Sequence, residues 1–202
     1  MAETTLPFGT KAAGARPNWQ GATDLSMRLR GCVGLCEVQA WPSALKDAGK
    51  ILARLRLADA ALFSQPNRSG SMAGSVAMNI GPGRLLIEGS DSKMVEMVQN
   101  AVPLKTGTVV DQSHGRVAIT LDGTPTVTTL AKAFNLDFAT MENGTVSATG
   151  HHGVPVVLRR VSSQRFDLYV PRTFARDVFE ALADQAADCG VRVRTETGHG
   201  HA

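Results

Sequence analysis

The chain has 202 residues, 43% hydrophobic and 19% charged, which suits one domain or two small ones with a buried core. A net charge of +3 with one Tyr, two Trp and seven Phe does not favour nucleic acid, because no basic-aromatic platform is visible. The chain lacks an apolar run of about 18 residues and a signal-like N-terminus, so we expect a cytoplasmic protein without a membrane span.

Residues 1–30 contain several Pro and Gly residues and no sustained period. They are more apolar than disordered segments usually are. We therefore expect an extended N-terminal arm that packs on its own domain or on a partner. Aromatic side chains concentrate interface energy, so Trp19 is expected to contribute most to a candidate partner interface that comprises Phe8, Trp19, Leu25 and Met27.

The first half alternates short apolar runs with helical patterns. The predicted strands cover residues 33–41, 57–63, 75–80 and 84–88. Pro42 and Asp91 introduce predicted helices at about 44–55 and 93–101. Residues 65–70, QPNRSG, predict a loop.

The second half repeats this order. The predicted strands cover residues 108–111, 117–121, 145–149, 155–158, 165–170 and 191–194. One helix is predicted over 125–134, and another begins at Thr173 as N-cap and ends before Gly190. In the strand 165–170, Phe166, Leu168 and Val170 share the inner face, while Asp167 and Tyr169 are expected to face water.

The predicted elements from strand 33–41 to strand 108–111 thus read β-α-β-β-β-α-β, and those from strand 117–121 to strand 191–194 read the same. We predict an α+β protein of two split-βαβ, ferredoxin-like lobes, each with its helices on one face of a sheet. The predicted divisions are an arm at 1–30, a first lobe at 31–105, a second lobe at 106–197 and a flexible tail at 198–202.

The sequence around Asp111, Ser113 and His114 contains the residue types of a catalytic triad. Residues this close on a tight turn cannot easily place the His between Ser and Asp. We therefore predict a structural turn in which Asp111 and Ser113 bond nearby backbone.

The sequence evidence for a metal site or a nucleotide site is equally weak. Cys32, Cys36 and Cys189 are expected to stay reduced, and His151–His152 falls on a hairpin tip where neighbouring side chains diverge. The fragment Gly81-Pro82-Gly83 lacks the pattern of a phosphate-binding loop. We expect no catalytic, cofactor or metal site in this chain.

Two segments resemble known proteins. The run from Val109 to Gly123 is similar to the Asp-x-Ser-His segment of the aminomethyltransferase superfamily. The run from Phe166 to Ala175 resembles the gamma-subunit family of heterotetrameric sarcosine oxidases. This resemblance implies the fold of the aminomethyltransferase N-terminal region and a non-catalytic subunit.

The same resemblance implies partners and chemistry. Such a chain packs on an alpha subunit, with beta and delta in the same heterotetramer. The other subunits hold FAD, FMN, NAD, tetrahydrofolate and zinc, with no cofactor in this chain. The complex oxidises sarcosine or a related N-methyl amino acid, such as N-methylglutamate or dimethylglycine, and passes the methyl group to tetrahydrofolate.

Two other functions stay open. A free-standing folate-dependent aminomethyltransferase-like enzyme would need a carboxylate aimed at folate, for which Glu88, Asp111 and Glu142 are candidates by residue type alone. A ferredoxin-like RNA-binding module would need surface aromatics on a sheet. Among Phe63, Phe166 and Tyr169, Phe166 is predicted to point inward, which disfavours that function.

Overall fold

A computed structural model describes residues 14–196, which contain twelve strands and four α-helices. The strands are β1 (Gly14–Arg16), β2 (Leu25–Gly31), β3 (Gly34–Ala40), β4 (Ser69–Met72), β5 (Ser75–Gly81), β6 (Arg84–Gly89), β7 (Gly107–Asp111), β8 (Arg116–Asp122), β9 (Val146–His151), β10 (Val154–Arg160), β11 (Arg165–Pro171) and β12 (Val191–Glu196). The helices are α1 (Leu45–Arg54), α2 (Lys93–Ala101), α3 (Thr126–Ala133) and α4 (Ala175–Gln185). The predicted α+β class is confirmed.

Within the described residues, the first compact unit combines residues 14–31 with Arg116–Asn143 and residues 149–196. Its sheet has the order β1-β12-β2-β8-β11-β10-β9. β12 runs parallel to β2, whereas β8 is antiparallel to both β2 and β11. Leucine, valine and phenylalanine side chains of these strands share one buried cluster with α3 and α4.

The second unit comprises Cys32–Gly115 with Gly144–Ala148. Its sheet has the order β4-β5-β6-β3-β7. Side chains of α1 and α2 share a separate core with one face of this sheet. Each unit therefore has helices against its sheet, as the split-βαβ prediction requires.

The predicted division of the chain needs correction at its N-terminal end. Residues 25–31 are not part of an arm, because β2 lies between β12 and β8 inside the first sheet. The first unit is also assembled from separated stretches of sequence. The second unit, which corresponds to the predicted first lobe, extends to Gly115 instead of ending at residue 105. Predicting contiguous lobes failed because strand pairing between distant segments leaves no local sequence signal.

Three local predictions are wrong as well. Residues 57–63 form turns and a short 3-10 helix, Leu62–Ser64, instead of a strand. The predicted loop at 65–70 ends early, since β4 begins at Ser69. The turn before α4 is a 3-10 helix, Arg172–Phe174, and Thr173 makes no capping bond to α4.

The side chain of Arg160 organises the loops at one end of the first unit. Its guanidinium donates hydrogen bonds to four main-chain carbonyl oxygens, those of Phe138 (3.0 Å), Met141 (2.6 Å), Ser162 (3.2 Å) and Ser163 (3.3 Å). It also stands 5.4 Å from the centre of the Phe166 ring, within cation–π range. The Arg160 guanidinium thus supplies hydrogen-bond donors to main-chain carbonyls in loops, outside the regular pairing of the β-strands.

We predict that Arg160→Met destabilises the protein by about 2–3 kcal/mol, because part-buried carbonyls lose a charged donor. Chemical denaturation of the purified chain measures this. The control is Arg176→Met on the exposed side of α4, which should stay within about 0.5 kcal/mol of wild type. Equal stabilities of the two variants would contradict the role given to Arg160.

Candidate functional site

The turn after β7 is a backbone-bonded structure. The Asp111 carboxylate accepts a hydrogen bond from the Ser113 N–H at 2.8 Å. The Ser113 hydroxyl accepts one from the Leu35 N–H at 3.0 Å and donates to the Leu35 carbonyl at 3.3 Å. His114 is exposed, whereas Ser113 is buried. The predicted structural turn is confirmed for Asp111, while Ser113 reaches the neighbouring strand β3 instead of local backbone.

Two of the three carboxylates proposed by residue type, Glu88 and Asp111, do not share one face of their sheet. Glu88 on β6 pairs in register with Leu35, whereas Asp111 on β7 pairs with Cys36. Leu35 and Cys36 are successive on β3, so Glu88 and Asp111 lie on opposite faces of the sheet. Glu142 is exposed in the loop before β9, in the other unit.

A buried polar row crosses the first sheet where the sequence predicted a solvated face. The row runs in register through Arg28, Thr120, Asp167 and Arg159. The Thr120 hydroxyl donates to the Asp167 carboxylate at 2.7 Å, and Arg159 approaches the other carboxylate oxygen at 3.8 Å. Asp167 is only 5% exposed, so these partners offset the cost of burying its charge.

The prediction that Tyr169 faces water is also wrong. Tyr169 is fully buried, and its cross-strand neighbours Ala118 and Val157 are buried too. Alternation in β11 indicated one buried face, but both faces are covered. A tyrosine on this strand therefore offers no exposed ring for stacking on a base, which removes one support for the RNA-binding alternative.

The histidine pair lies at the turn between β9 and β10. His151 is buried, and its Nδ1 is 3.0 Å from the Ala133 carbonyl at the end of α3. His152 is exposed and adopts a positive φ of 47°. Among the described residues, no three His, Cys, Asp or Glu side chains come together as a metal site would require.

The structure separates the four predicted interface residues. Leu25 and Met27 are fully buried on β2, in the core of the first unit. They therefore cannot belong to an exposed docking surface. Trp19 is 86% exposed and stays a candidate. Phe8 lies outside the described residues.

Two residues outside the predicted interface have exposed apolar side chains and share a hydrogen bond. Trp41 and Leu104 lie together in the second unit, since the Trp41 indole N–H donates to the Leu104 carbonyl at 2.7 Å. Leu104 is 81% exposed and Trp41 39%. The sequence alone does not reveal this pair, because its members are far apart along the chain and are joined through a main-chain acceptor.

The two sheets and their helices define a mixed α+β fold of the aminomethyltransferase type. No family model matches this sequence, and no curated protein matches it. No helix within residues 14–196 has both the length and the apolarity needed to cross a bilayer.

Solved structures do match. One is a chain of the heterotetrameric sarcosine oxidase from Corynebacterium sp. U-96, in complex with pyrrole 2-carboxylate. That match has a TM-score of 0.72 and 19% identity, covering 81% of this chain and 84% of that one. A second is the glycine cleavage system aminomethyltransferase T from Bartonella henselae, with a TM-score of 0.64 and 15% identity.

The two matches differ in extent. The alignment with the aminomethyltransferase covers 86% of this chain but only 48% of that protein, so the chain spans about half of that enzyme. At these identities the comparison establishes the fold.

We predict that Ser113→Ala lowers stability by about 1–2 kcal/mol, because the buried Leu35 N–H loses its acceptor. Thermal unfolding of the purified chain measures the change. His114→Ala, one residue along and exposed, is the matched control and should leave stability unaltered. Equal loss in both variants would show that the turn itself, and not the Ser113 hydroxyl, carries the effect.

Burial and the nearby Asp111 carboxylate raise the pKa of the Cys36 thiol to about 12. Its thiolate is therefore scarce at pH 8. Cys189 is half-buried, and burial raises the pKa of its thiol as well. We predict that iodoacetamide at pH 8 labels Cys189 well before Cys36 in the folded chain. Mass spectrometry of tryptic peptides tests this order, with the denatured chain, where both label alike, as control.

Proposed function

We propose that this chain is a gamma-type, non-catalytic subunit of a sarcosine oxidase-type complex in the cytoplasm. It packs on the alpha subunit, with beta and delta in the same assembly. The complex oxidatively demethylates sarcosine or a related N-methyl amino acid and transfers the methyl group to tetrahydrofolate. FAD, FMN, NAD, tetrahydrofolate and zinc belong to the other subunits.

The observation that carries this proposal is the extent of the structural match. The likeness to a sarcosine oxidase chain covers most of both chains, at 81% and 84%. The aminomethyltransferase contains further structure beyond the aligned region, because only 48% of it is matched. A subunit of that oxidase therefore accounts for the size of the matched fold better than a complete aminomethyltransferase does.

The arrangement of polar side chains supports a non-catalytic role. The Ser113 hydroxyl is engaged by the Leu35 backbone, so it is not poised as a nucleophile. Glu88 and Asp111 occupy opposite sheet faces and cannot act together on one substrate. The buried Asp167 is held by Thr120 and Arg159, an arrangement that stabilises a fixed carboxylate.

A folate-dependent enzyme is the second candidate, favoured by the match to aminomethyltransferase T. In that case the isolated chain would bind tetrahydrofolate on its own. The exposed Trp19 and Trp41 provide a fluorescence signal with which to measure such binding.

We predict that the purified chain shows no flavin absorbance and copurifies with the alpha subunit when the two are co-expressed. The test is tandem affinity purification with spectra of each fraction, and the control replaces alpha with an unrelated flavoprotein. A stoichiometric flavin in the isolated chain would overturn the non-catalytic assignment. Failure to copurify with alpha, combined with tight tetrahydrofolate binding, would establish the second candidate.

A further inference from the structure

Strand β7 forms one edge of the five-stranded sheet, with β3 as its neighbour within residues 14–196. A strand at an edge presents a row of main-chain donors and acceptors that another strand can pair with. Natural edges are usually short, charged or covered. The residues of β7 are Gly-Thr-Val-Val-Asp, so its one charged residue is Asp111 at its end, and it contains neither Lys nor Pro.

Two hydrogen bonds show which main-chain groups of β7 point outward. The Gln112 N–H donates to the Leu35 carbonyl at 2.8 Å, and the Trp41 N–H donates to the Thr106 carbonyl at 3.0 Å. Both pairs are in register with the β3–β7 ladder. Hydrogen-bonded pairs alternate along an antiparallel ladder, so the even-numbered residues of β7 bond β3.

The N–H and C=O groups of Val109 and Asp111 therefore point away from β3. The Gly107 N–H, which also lies on that side, donates to the Pro103 carbonyl at 3.2 Å. Gly107 itself permits the close approach to β3, because a Cβ there would lie 2.3 Å from the Gln39 carbonyl oxygen. Among residues 14–196, two successive outward positions of β7 remain for a partner strand.

Exposed apolar side chains accompany this edge. Seven large hydrophobic side chains are exposed among the described residues, and three of them lie on or beside β7. Val110 (51% exposed) lies within the strand, and Trp41 and Leu104 adjoin its start. Exposed apolar clusters of this kind mark interaction sites.

The charged residues at the two ends of β7 also restrict which strand can pair with this edge. Lys105 is exposed just before β7, and Asp111 is exposed at its end. A complementary strand carries an acidic residue opposite Lys105, apolar residues at its centre and a basic residue opposite Asp111. Trp41 is a ready anchor, because its bond to Leu104 already orders the ring.

We propose that the β7 edge docks an extended strand of the alpha subunit, which pairs with Val109 and Asp111 and adds a sixth strand to the sheet. This inference rests on the proposed function, since it assigns the surface through which the subunit binds its large partner. The exposed surface around Trp41 and Leu104 then forms the rim of the interface, in place of the buried Leu25 and Met27.

The first test is the affinity of alpha for edge variants. Val109→Pro removes an outward N–H without removing a β3 bond, and Val110→Lys places a charge on the edge. Each should weaken binding about tenfold or more, the scale of one lost hydrogen bond. The matched controls are Val109→Ala, which keeps the N–H, and Phe174→Lys, similarly exposed (45%) in the other unit. Both should bind within about twofold of wild type.

The second measurement is amide hydrogen exchange of the full chain, alone and bound to alpha. The Thr108 and Val110 amides should be protected in both states, because they bond β3. The Val109 and Asp111 amides should exchange freely in the isolated chain and become protected in the complex. This pattern, with the affinity loss, supports a docked strand.

Four results would overturn the inference. Edge variants that bind like wild type would dismiss the docked strand while leaving the proposed function in place. A wild-type chain that does not bind alpha at all would overturn both. A homodimer split by Val110→Lys would identify a second copy as the occupant. Protection of Val109 in the isolated chain, lost when residues 1–13 are deleted, would identify the chain's own N-terminal segment.

Discussion

The pairing of β2 with both β8 and β12 is the constraint on which the first unit depends. β2 brings Leu25, Met27 and Leu29 into the core, opposite Leu121 and Ile119 of β8. On its other side it runs parallel to β12, which carries the core residues Val191 and Val193. Without β2 the sheet would fall into two pieces, each with an unpaired edge facing water.

Most individual helices and strands were predictable from the sequence, because the signals that specify them are local. The α2 helix has buried Met94, Val95 and Val98 at helical spacing, and Asp91 accepts a bond from the Lys93 N–H beside its start. The hairpin β9–β10 turns at His152–Gly153, where both residues have positive φ. Each signal operates over a few residues, so one sequence is enough to read it.

The errors in assigning Leu25, Met27, Asp167 and Tyr169 to exposed positions share one physical origin, which is burial by distant segments. Leu25, Met27 and Leu29 alternate as a strand should, yet the Pro and Gly residues before them suggested an arm. Asp167 and Tyr169 alternate with apolar residues as a solvated face would, yet both are buried. Polarity alone cannot show that Thr120 and Arg159 stand beside Asp167, because those neighbours come from other strands. The Trp41–Leu104 pair was not predicted either, because the fold brings together two residues that are far apart along the chain.

The charged row across the first sheet has a cost as well as a use. A buried carboxylate beside an arginine contributes less to stability than a well-packed apolar pair would, but removing one partner leaves an uncompensated charge. Arg28, Thr120, Asp167 and Arg159 therefore favour one strand register over its neighbours, since a slip of one residue would move Asp167 into the apolar core.

The discontinuity of the first unit has a consequence for synthesis on the ribosome. Leu29 pairs with Thr195, so β2 is made well before its parallel neighbour exists. At typical translation speeds of about 5–20 residues per second, the ribosome needs roughly 10–30 s to synthesise the residues between Leu29 and Thr195. The second unit, almost entirely contiguous in sequence, can fold within that interval. During that interval β2 can pair with β8, but the side that pairs with β12 stays open until the C-terminal strand has been made.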